Sequence, residues 1–203
     1  MDIVLATRNP GKVGELRALL ADMDVNVLSL GDFPDIPGIE ETGATFAENA
    51  RIKAEEVSRI TGMLVVADDS GLEVDALGGE PGVRSNRFGG PGAADRDKYL
   101  RILELLEGVP DERRTARFRA AVAVAAPGRE TVIVEGSCEG VIAREPAGGG
   151  GFGYDPVFFI PEAGQTMAEV PSDIKNRISH RAKAMQKARC ILEDYLSHRS
   201  AAP

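Results

Sequence analysis

The stretch VLATRNPGKVGEL, residues 4–16, joins a short apolar run to a helix-like segment through a turn. Asn9 can cap this helix, Pro10 suits its first turn, and Gly11 lets the backbone approach a ligand. A helix N-terminus presents unbonded N–H groups and a partial positive charge, so it favours an anion. The pattern therefore predicts either an anion-binding strand–turn–helix or an ordinary capped βα turn.

The turn is not a P-loop. Ala6 stands where the motif G-x-x-x-x-G-K-[ST] has its first glycine, and Val13 replaces the final serine or threonine. Arg8 and Lys12 still flank the turn with positive charge. A phosphate site of another design therefore stays open, beside the alternative of solvated surface charges.

The composition is that of a globular protein, with 203 residues, 43% hydrophobic and 28% charged. A net charge of −8 argues against a surface that coats nucleic acid, although a nucleotide pocket needs only a few local cations. Cys138 and Cys190 lie far apart in no C-x-x-C pattern, which indicates thiols in a reducing compartment. His180 and His198 are too few for a His-rich metal site.

The N-terminus has no signal-peptide pattern, and no apolar run approaches about 18 residues. We therefore expect no membrane contact, no nucleic-acid partner and a cytoplasmic location.

Periodicity and turn signals predict a single α/β domain over residues 1–203 with a mixed sheet. The expected strands are residues 2–6, 25–30, 63–67 and 156–160, with a hairpin over 115–143 that turns at Pro127 and Gly128. The expected helices are residues 10–23, 45–60, 93–106 and 178–196. Residues 31–43 and 78–92 are predicted loops, and the tail 197–203 is expected to be frayed.

Two acids follow the third predicted strand. Asp68 and Asp69 are expected at its carboxyl end, where ligands of open α/β sheets gather, with Ser70 and Gly71 turning the chain. Adjacent acids at such a place are costly unless they are paired or bind a metal. The alternative is an Asx-turn that ends the strand.

The segment EETGATFAENA, residues 40–50, adds carboxylates before a predicted helix. Mg²⁺ usually takes one or two carboxylates plus substrate phosphates. Glu41 with Asp69 would form such a site if the fold brings them together, whereas a solvated acidic loop is the alternative. Asn49 could also reach a ligand.

The segment GGGGFGYDP, residues 148–156, contains four consecutive glycines, which are costly to order. Phe152 and Tyr154 could stack on a flat base, and Asp155 could orient a polar edge. The alternative is a loop that leads into the next strand.

Lys175, His180 and Arg181 follow in IKNRISHRAKA, residues 174–184. Lysine and arginine only donate hydrogen bonds, so this set could recognise carbonyl oxygens on a base. A solvated charged face is the alternative.

Five stretches, in order along nearly the whole chain, resemble the Ham1/RdgB family of inosine triphosphate pyrophosphatases. They are TRNPGK, EETGATFAENA, ADDSGLEVDALGGEPGVRS, GGFGYDPVFF and ISHRAKA. The resemblance implies an elongated α/β fold of two lobes, with a long mixed central sheet, flanking helices and a nucleotide cleft between the lobes. It also implies a Mg²⁺-dependent homodimeric hydrolase that cleaves ITP, dITP and XTP to the monophosphate and pyrophosphate, which removes non-canonical purine nucleotides from the pool.

The resemblance also assigns site residues. Asp69 would be the catalytic acid residue and would bind the metal with Glu41, although Glu40 is an alternative ligand, and Ser70 would contact the substrate. The triphosphate would be held by Thr7, Arg8, Asn9, Pro10, Gly11 and Lys12. The base pocket would be formed by Phe152, Gly153, Tyr154, Asp155, Lys175, His180 and Arg181. Relatives often carry a small residue at the position of Arg8, which leaves its role open.

A Maf-like pyrophosphatase of different base specificity and a nucleotide-binding sensor without turnover are the two alternatives. The purine-pocket segments favour the Ham1-type enzyme over the first. The acids Glu41, Asp68 and Asp69 favour turnover over the second.

Overall fold

A computed structural model of the chain describes residues 1–90 and 92–199. The strands are β1 (Asp2–Leu5), β2 (Asn26–Ser29), β3 (Leu64–Val74), β4 (Thr115–Ala125), β5 (Val132–Ile142), β6 (Phe158–Ile160) and β7 (Gln165–Thr166). The α-helices are α1 (Pro10–Leu19), α2 (Phe46–Thr61), α3 (Asp95–Leu105), α4 (Ser172–Ile178) and α5 (His180–Arg199). Of the tail for which fraying is expected, residues 200–203 lie outside the described part.

The strands form one seven-stranded sheet in the order β2-β1-β3-β4-β5-β6-β7. β1 pairs in parallel with β2 and β3, whereas β6 pairs antiparallel with β5 and β7. The sheet is therefore mixed, and the predicted α/β class is confirmed.

The chain divides into two compact units. Unit 1 consists of residues 1–69, 120–136 and the described part of 181–203, and unit 2 consists of residues 70–119 and 137–180. The apolar core of unit 1 contains Leu5 and Val66 of the sheet, Leu16 of α1 and Met185 of α5, all fully buried. Each such side chain stabilises the fold by roughly 1.5–3 kcal/mol.

Unit 2 has its own core, in which Leu72 of β3, Ile102 of α3 and Phe158 of β6 are fully buried. The ring centroids of Phe118 and Phe158 lie 4.3 Å apart, so the two rings are in close contact in this core.

The expectation that the third strand ends at residue 67 and turns at Ser70 and Gly71 is wrong. β3 continues to Val74 because Leu72 and Val74 are buried in the core of unit 2. The absence of a side chain at Gly71 serves close approach rather than a turn, since a Cβ there would lie 2.4 Å from Ser85 Oγ. That hydroxyl accepts a hydrogen bond from the Leu72 amide at 2.9 Å.

Two helix boundaries also differ from prediction. The predicted helix 178–196 corresponds to α5, which begins two residues later at His180. The structure adds α4 before it, which was not predicted, and the extended residue Ser179 (ψ 156°) separates the two helices. The first helix ends at Leu19, not at residue 23, because residues 20–25 return the chain to β2.

Candidate functional site

The turn of residues 7–12 has the predicted capped geometry. Asn9 caps α1 by accepting a hydrogen bond from the Lys12 amide at 3.2 Å, and Pro10 occupies the first helical position. Thr7 Oγ1 accepts from the Asn9 amide at 3.1 Å, which ties Thr7 to the capping residue. The prediction of a cap at Asn9 is therefore confirmed, and Gly11 lies in the first turn of the helix.

Arg8 is exposed and reaches a neighbouring loop. Its guanidinium donates to the Ile36 carbonyl at 2.5 Å and to the Phe33 carbonyl at 3.4 Å. Arg8 therefore links the turn to the loop that leads toward the acidic segment at residues 40–41.

Asp68 lies among cations in unit 1. It is only 2% exposed, and its carboxylate lies 2.9 Å from Lys12 Nζ and 3.1 Å from Arg181 Nε. Arg181 also pairs with Glu15 of α1. Burial alone would raise the pKa of Asp68, but Lys12, Arg181 and Lys53 outweigh it and hold this pKa far below its ordinary value.

A second ionic group lies around Lys53 of α2. Its ammonium donates to Glu41 Oε1 at 2.8 Å, to Asp69 Oδ1 at 3.2 Å and to the Asp68 carbonyl at 2.7 Å. Burial opposes the charged form of Lys53, but Asp69, Glu41 and Asp68 raise its pKa, so the ammonium is retained. The loop before α2 and strand β3 therefore bring two carboxylates, Glu41 and Asp69, to the Lys53 ammonium.

The pKa of Asp69 shifts in the opposite direction from that of Asp68. Burial, together with the nearby charge of Glu41, raises the pKa of Asp69, and Lys53 only partly offsets this effect. Ionisation of Asp69 is therefore less favourable inside the fold than it is in water.

The alternation of side chains along β3 explains why these neighbouring acids meet different partners. Successive residues of a strand point to opposite faces of the sheet. Leu64 and Val66 pack on the α1 and α5 side, so Asp68 continues that face and meets Lys12 and Arg181. Asp69 is directed to the other face, where α2 supplies Lys53.

Glu41 and Asp69 suit a hard divalent cation. Asp69 Oδ2 is buried without a hydrogen-bond partner among the described residues, which is costly unless a ligand satisfies it. The described residues assemble no group of three or more metal-binding side chains. Two carboxylates are nevertheless what Mg²⁺ takes when substrate phosphates complete its shell. Glu40 is exposed, whereas Glu41 is directed at this group.

The predicted base-binding loop in unit 2 is organised by a buried ion pair. Lys175 Nζ lies 2.6 Å from Asp155 Oδ2, which also accepts the Phe152 amide at 2.9 Å. The same ammonium lies 5.1 Å from the centre of the Phe152 ring, within range of a cation–π contact. A Cβ on Gly151 would lie 2.0 Å from Asp155 Oδ2, so this position requires glycine.

The other glycines of this loop also allow close approach. Gly150 donates to the Ala168 carbonyl at 2.9 Å, and a Cβ at Gly148 would lie 2.6 Å from the Ala168 backbone. The amide of Gly153 donates to Asp95 Oδ2 at 2.8 Å. The glycine run is therefore ordered by backbone contacts.

Tyr154 and His180 are buried in unit 2. The Tyr154 hydroxyl donates to the Ser85 carbonyl at 2.8 Å, and burial raises the pKa of Tyr154 well above its ordinary value. The His180 ring stacks on Phe118 with centroids 4.7 Å apart. Ser70 lies half-buried within β3.

The Ham1 family pattern matches residues 3–190 of the chain. The chain belongs to the Ham1 family. The dITP/XTP pyrophosphatase of Geobacillus kaustophilus is 58% identical over 92% of this Ham1 protein and 91% of the relative. The dITP/XTP pyrophosphatase of Desulforamulus reducens is 53% identical over 98% of each chain.

Solved structures agree with this assignment. A HAM1 protein from Coxiella burnetii superposes with a TM-score of 0.86 at 41% identity, over 96% of this chain and 99% of that one. A nucleoside-triphosphatase, or dITP/XTP pyrophosphatase, from Mycobacterium abscessus gives 0.75 at 45% identity, over 93% and 98%. The resemblance stated from the sequence is confirmed.

Sequence reasoning missed several residues of this Ham1 protein. Lys53 lies in the predicted helix 45–60 and was not named as a site residue, although a lysine beside the apolar positions Ala50, Ala54 and Val57 is a signal of a buried ion pair. Glu15 carried no signal, since its partner Arg181 is distant in sequence.

Arg181 itself lies in unit 1 with Asp68 and Glu15, and its assignment to the base pocket stays a prediction. No helix in residues 1–90 and 92–199 combines the length and apolar character that crossing a bilayer needs.

Proposed function

We propose that this Ham1 protein is a nucleoside triphosphate pyrophosphatase that hydrolyses dITP, XTP and ITP to the monophosphate and pyrophosphate. Family membership and the names of the relatives support the reaction class. The observation that carries the proposal is the convergence of Glu41 and Asp69 on one point in unit 1, with the Lys12–Asp68 pair in the same unit.

In this proposal the triphosphate binds at the start of α1. The capped helix end offers the backbone N–H of Gly11, since the Lys12 amide donates to Asn9, and the Lys12 side chain adds a positive charge. Thr7 and Asn9 fix the turn, and Arg8 holds the adjoining loop. Because burial lowers the pKa of Lys12, an incoming phosphate would favour its charged form.

Glu41 and Asp69 are the proposed ligands of Mg²⁺. The metal, when bound, would neutralise charge on the phosphate oxygens. Asp69 would accept the proton of the water that attacks the α-phosphorus, and its raised pKa makes it a better base than an ordinary aspartate. Ser70, the next residue of β3, is the proposed substrate contact on this strand.

The purine is the proposed ligand of the loop in unit 2. Phe152 offers a ring for stacking, and the Asp155–Lys175 pair holds that ring in place. Tyr154 and Gly153 fix the loop through Ser85 and Asp95.

Base selectivity is assigned to hydrogen-bond donors. A donor on His180 or Arg181 would pair with the C6 carbonyl of hypoxanthine or xanthine. Adenine presents an amine at that position, so a donor would face a donor, and such a mismatch is rejected by orders of magnitude.

A homodimer that acts in the cytoplasm, where the nucleotide pool lies, completes the proposal. Light scattering tests the assembly, since a dimer has twice the mass of the 21.6 kDa chain.

Pyrophosphate release tests the activity. We expect rapid release from dITP, ITP and XTP with Mg²⁺, slow release from ATP and GTP, and none in EDTA. Asp69→Asn should fold and bind nucleotide yet lose most turnover, whereas Asp75→Asn, at an exposed acid in unit 2, should keep it. Equal rates for all five nucleotides would defeat the selectivity argument, and an active Asp69→Asn enzyme would defeat the assignment of Asp69.

A further inference from the structure

Lys53 holds the position toward which both proposed metal ligands point. Its ammonium lies 2.8 Å from Glu41 Oε1 and 3.2 Å from Asp69 Oδ1, and it also donates to the Asp68 carbonyl at 2.7 Å. Lysine has three donors, and these three oxygens use all of them. The Lys53 side chain is 10% exposed, so bulk water screens these contacts only weakly.

We propose that Lys53 is a built-in counter-ion that occupies the divalent-cation site of the nucleotide-free enzyme, so that the metal must displace its ammonium to bind Glu41 and Asp69. The inference rests on the proposed function in one respect, which is the assignment of those two carboxylates as metal ligands.

The charge balance of the site predicts how metal binding depends on the nucleotide. Two neighbouring carboxylates, one of them buried and the other partly buried, need a positive charge, and Lys53 supplies it in the absence of metal. A divalent ion that arrives alone would meet ligands whose charge Lys53 already offsets in part, and it would leave a buried ammonium without a partner. A triphosphate supplies anionic oxygens that can receive the displaced ammonium. Metal and nucleotide should therefore bind with positive coupling, and each should raise the affinity for the other by the same factor.

Removal of the ammonium is the direct test. We would measure Mg²⁺ binding to the nucleotide-free protein by calorimetry, for wild type and for Lys53→Met, Lys53→Gln and Lys53→Arg. The two neutral variants should bind Mg²⁺ at least tenfold more tightly than wild type, whereas Lys53→Arg keeps the charge and should stay as weak. The melting temperature of the neutral variants should be lower than that of wild type in EDTA and should rise more on addition of Mg²⁺.

Lys98→Met is the matched control. Lys98 is also 8% exposed and pairs with Asp95 at 3.0 Å, in unit 2. Its removal should lower the melting temperature without changing the Mg²⁺ affinity. Adding Asp69→Asn to Lys53→Met should abolish the gain in affinity, because it removes a ligand.

The inference is overturned when Lys53→Met and Lys53→Gln, both folded by circular dichroism, bind Mg²⁺ no better than wild type. Circular dichroism in EDTA and in Mg²⁺ identifies a variant that folds only with the metal, which supports the inference. Pyrophosphate release by wild type is measured in parallel. An inactive wild type with tighter binding by the neutral variants would remove the proposed function but keep the cation site.

Discussion

Asp68→Asn should destabilise the protein far more than Asp69→Asn, although the two acids are neighbours on one strand. The Asp68 carboxylate is the counter-ion of Lys12 and Arg181, and all three side chains are more than nine-tenths buried. Asparagine keeps the shape of the side chain but removes its charge. Arg181 would retain Glu15, whereas the Lys12 ammonium would lose the only acid that pairs with it among the described residues.

The size of the effect follows from this loss. Removing one partner of a buried ion pair costs about 3–5 kcal/mol, since the remaining charge has neither water nor a counter-ion. In a chain of this length each kcal/mol lowers the melting temperature by about 2–4 °C, so a fall of about 10 °C is expected. Asp69 differs because its raised pKa shows that the fold disfavours its ionised form. Neutralising Asp69 should therefore change the free energy of unfolding by less than about 1 kcal/mol.

Thermal unfolding at pH 7 in EDTA, followed by circular dichroism and calorimetry, measures both variants against wild type. Urea denaturation supplies the free energies independently. A melting temperature of Asp68→Asn within 2–3 °C of wild type, on the scale of about 1 kcal/mol, would refute the counter-ion role. So would an equal loss in both variants.

Three further predictions concern unit 2. Gly151→Ala should raise KM for dITP about tenfold, which corresponds to about 1.4 kcal/mol of binding free energy, with a smaller change in kcat. The reason is that the added Cβ would displace Asp155, and steady-state kinetics measures both constants. Arg114→Met should lower the free energy of unfolding by about 3 kcal/mol in urea, because the buried guanidinium donates to three backbone carbonyls. Hydrogen bonds from Arg117 hold the pKa of Asp75 below its unfolded value, so the stabilisation is present above about pH 4 and is lost as the pH falls through the lower folded pKa. Asp75→Asn should therefore lower the free energy of unfolding by under about 1 kcal/mol at pH 7, since solvent screens this exposed pair. In strong acid the substitution should have no effect, and urea titrations at both pH values measure the difference.

Local chemistry made part of this fold predictable. Asn9 and Thr45 are capping residues whose side chains accept the expected helix amides, and both helices start where these caps indicate. Alternating apolar residues predicted the hairpin of β4 and β5, which are neighbours in the sheet. These features depend on residues close in sequence, so a local pattern carries them.

Features that depend on distant partners were not predictable in the same way. Ser70 and Gly71 are residue types that favour turns. The strand nevertheless continues to Val74, because Leu72 and Val74 are buried in the core of unit 2. The apolar neighbours of Lys53 in α2 indicate that its ammonium is buried and paired, but its partners Glu41 and Asp69 are 12 and 16 residues away and are known only from the fold. The sequence pointed to Glu41 and Asp69 as candidate functional acids, but it did not indicate which cation pairs with them.

The balance of charge in unit 1 connects these observations. The buried group contains three cations and four acids, namely Lys12, Lys53, Arg181, Glu15, Glu41, Asp68 and Asp69. The group therefore has one negative charge in excess. Because side chains alternate along β3, Asp68 and Asp69 meet different numbers of cations, and Asp69 is the acid with too few. Asp68 faces two cations and keeps a low pKa, whereas Asp69 shares one ammonium with Glu41 and has a raised pKa. The same strand thus separates a carboxylate that stabilises the fold from one that is left short of positive charge, and a divalent cation would supply the missing charge.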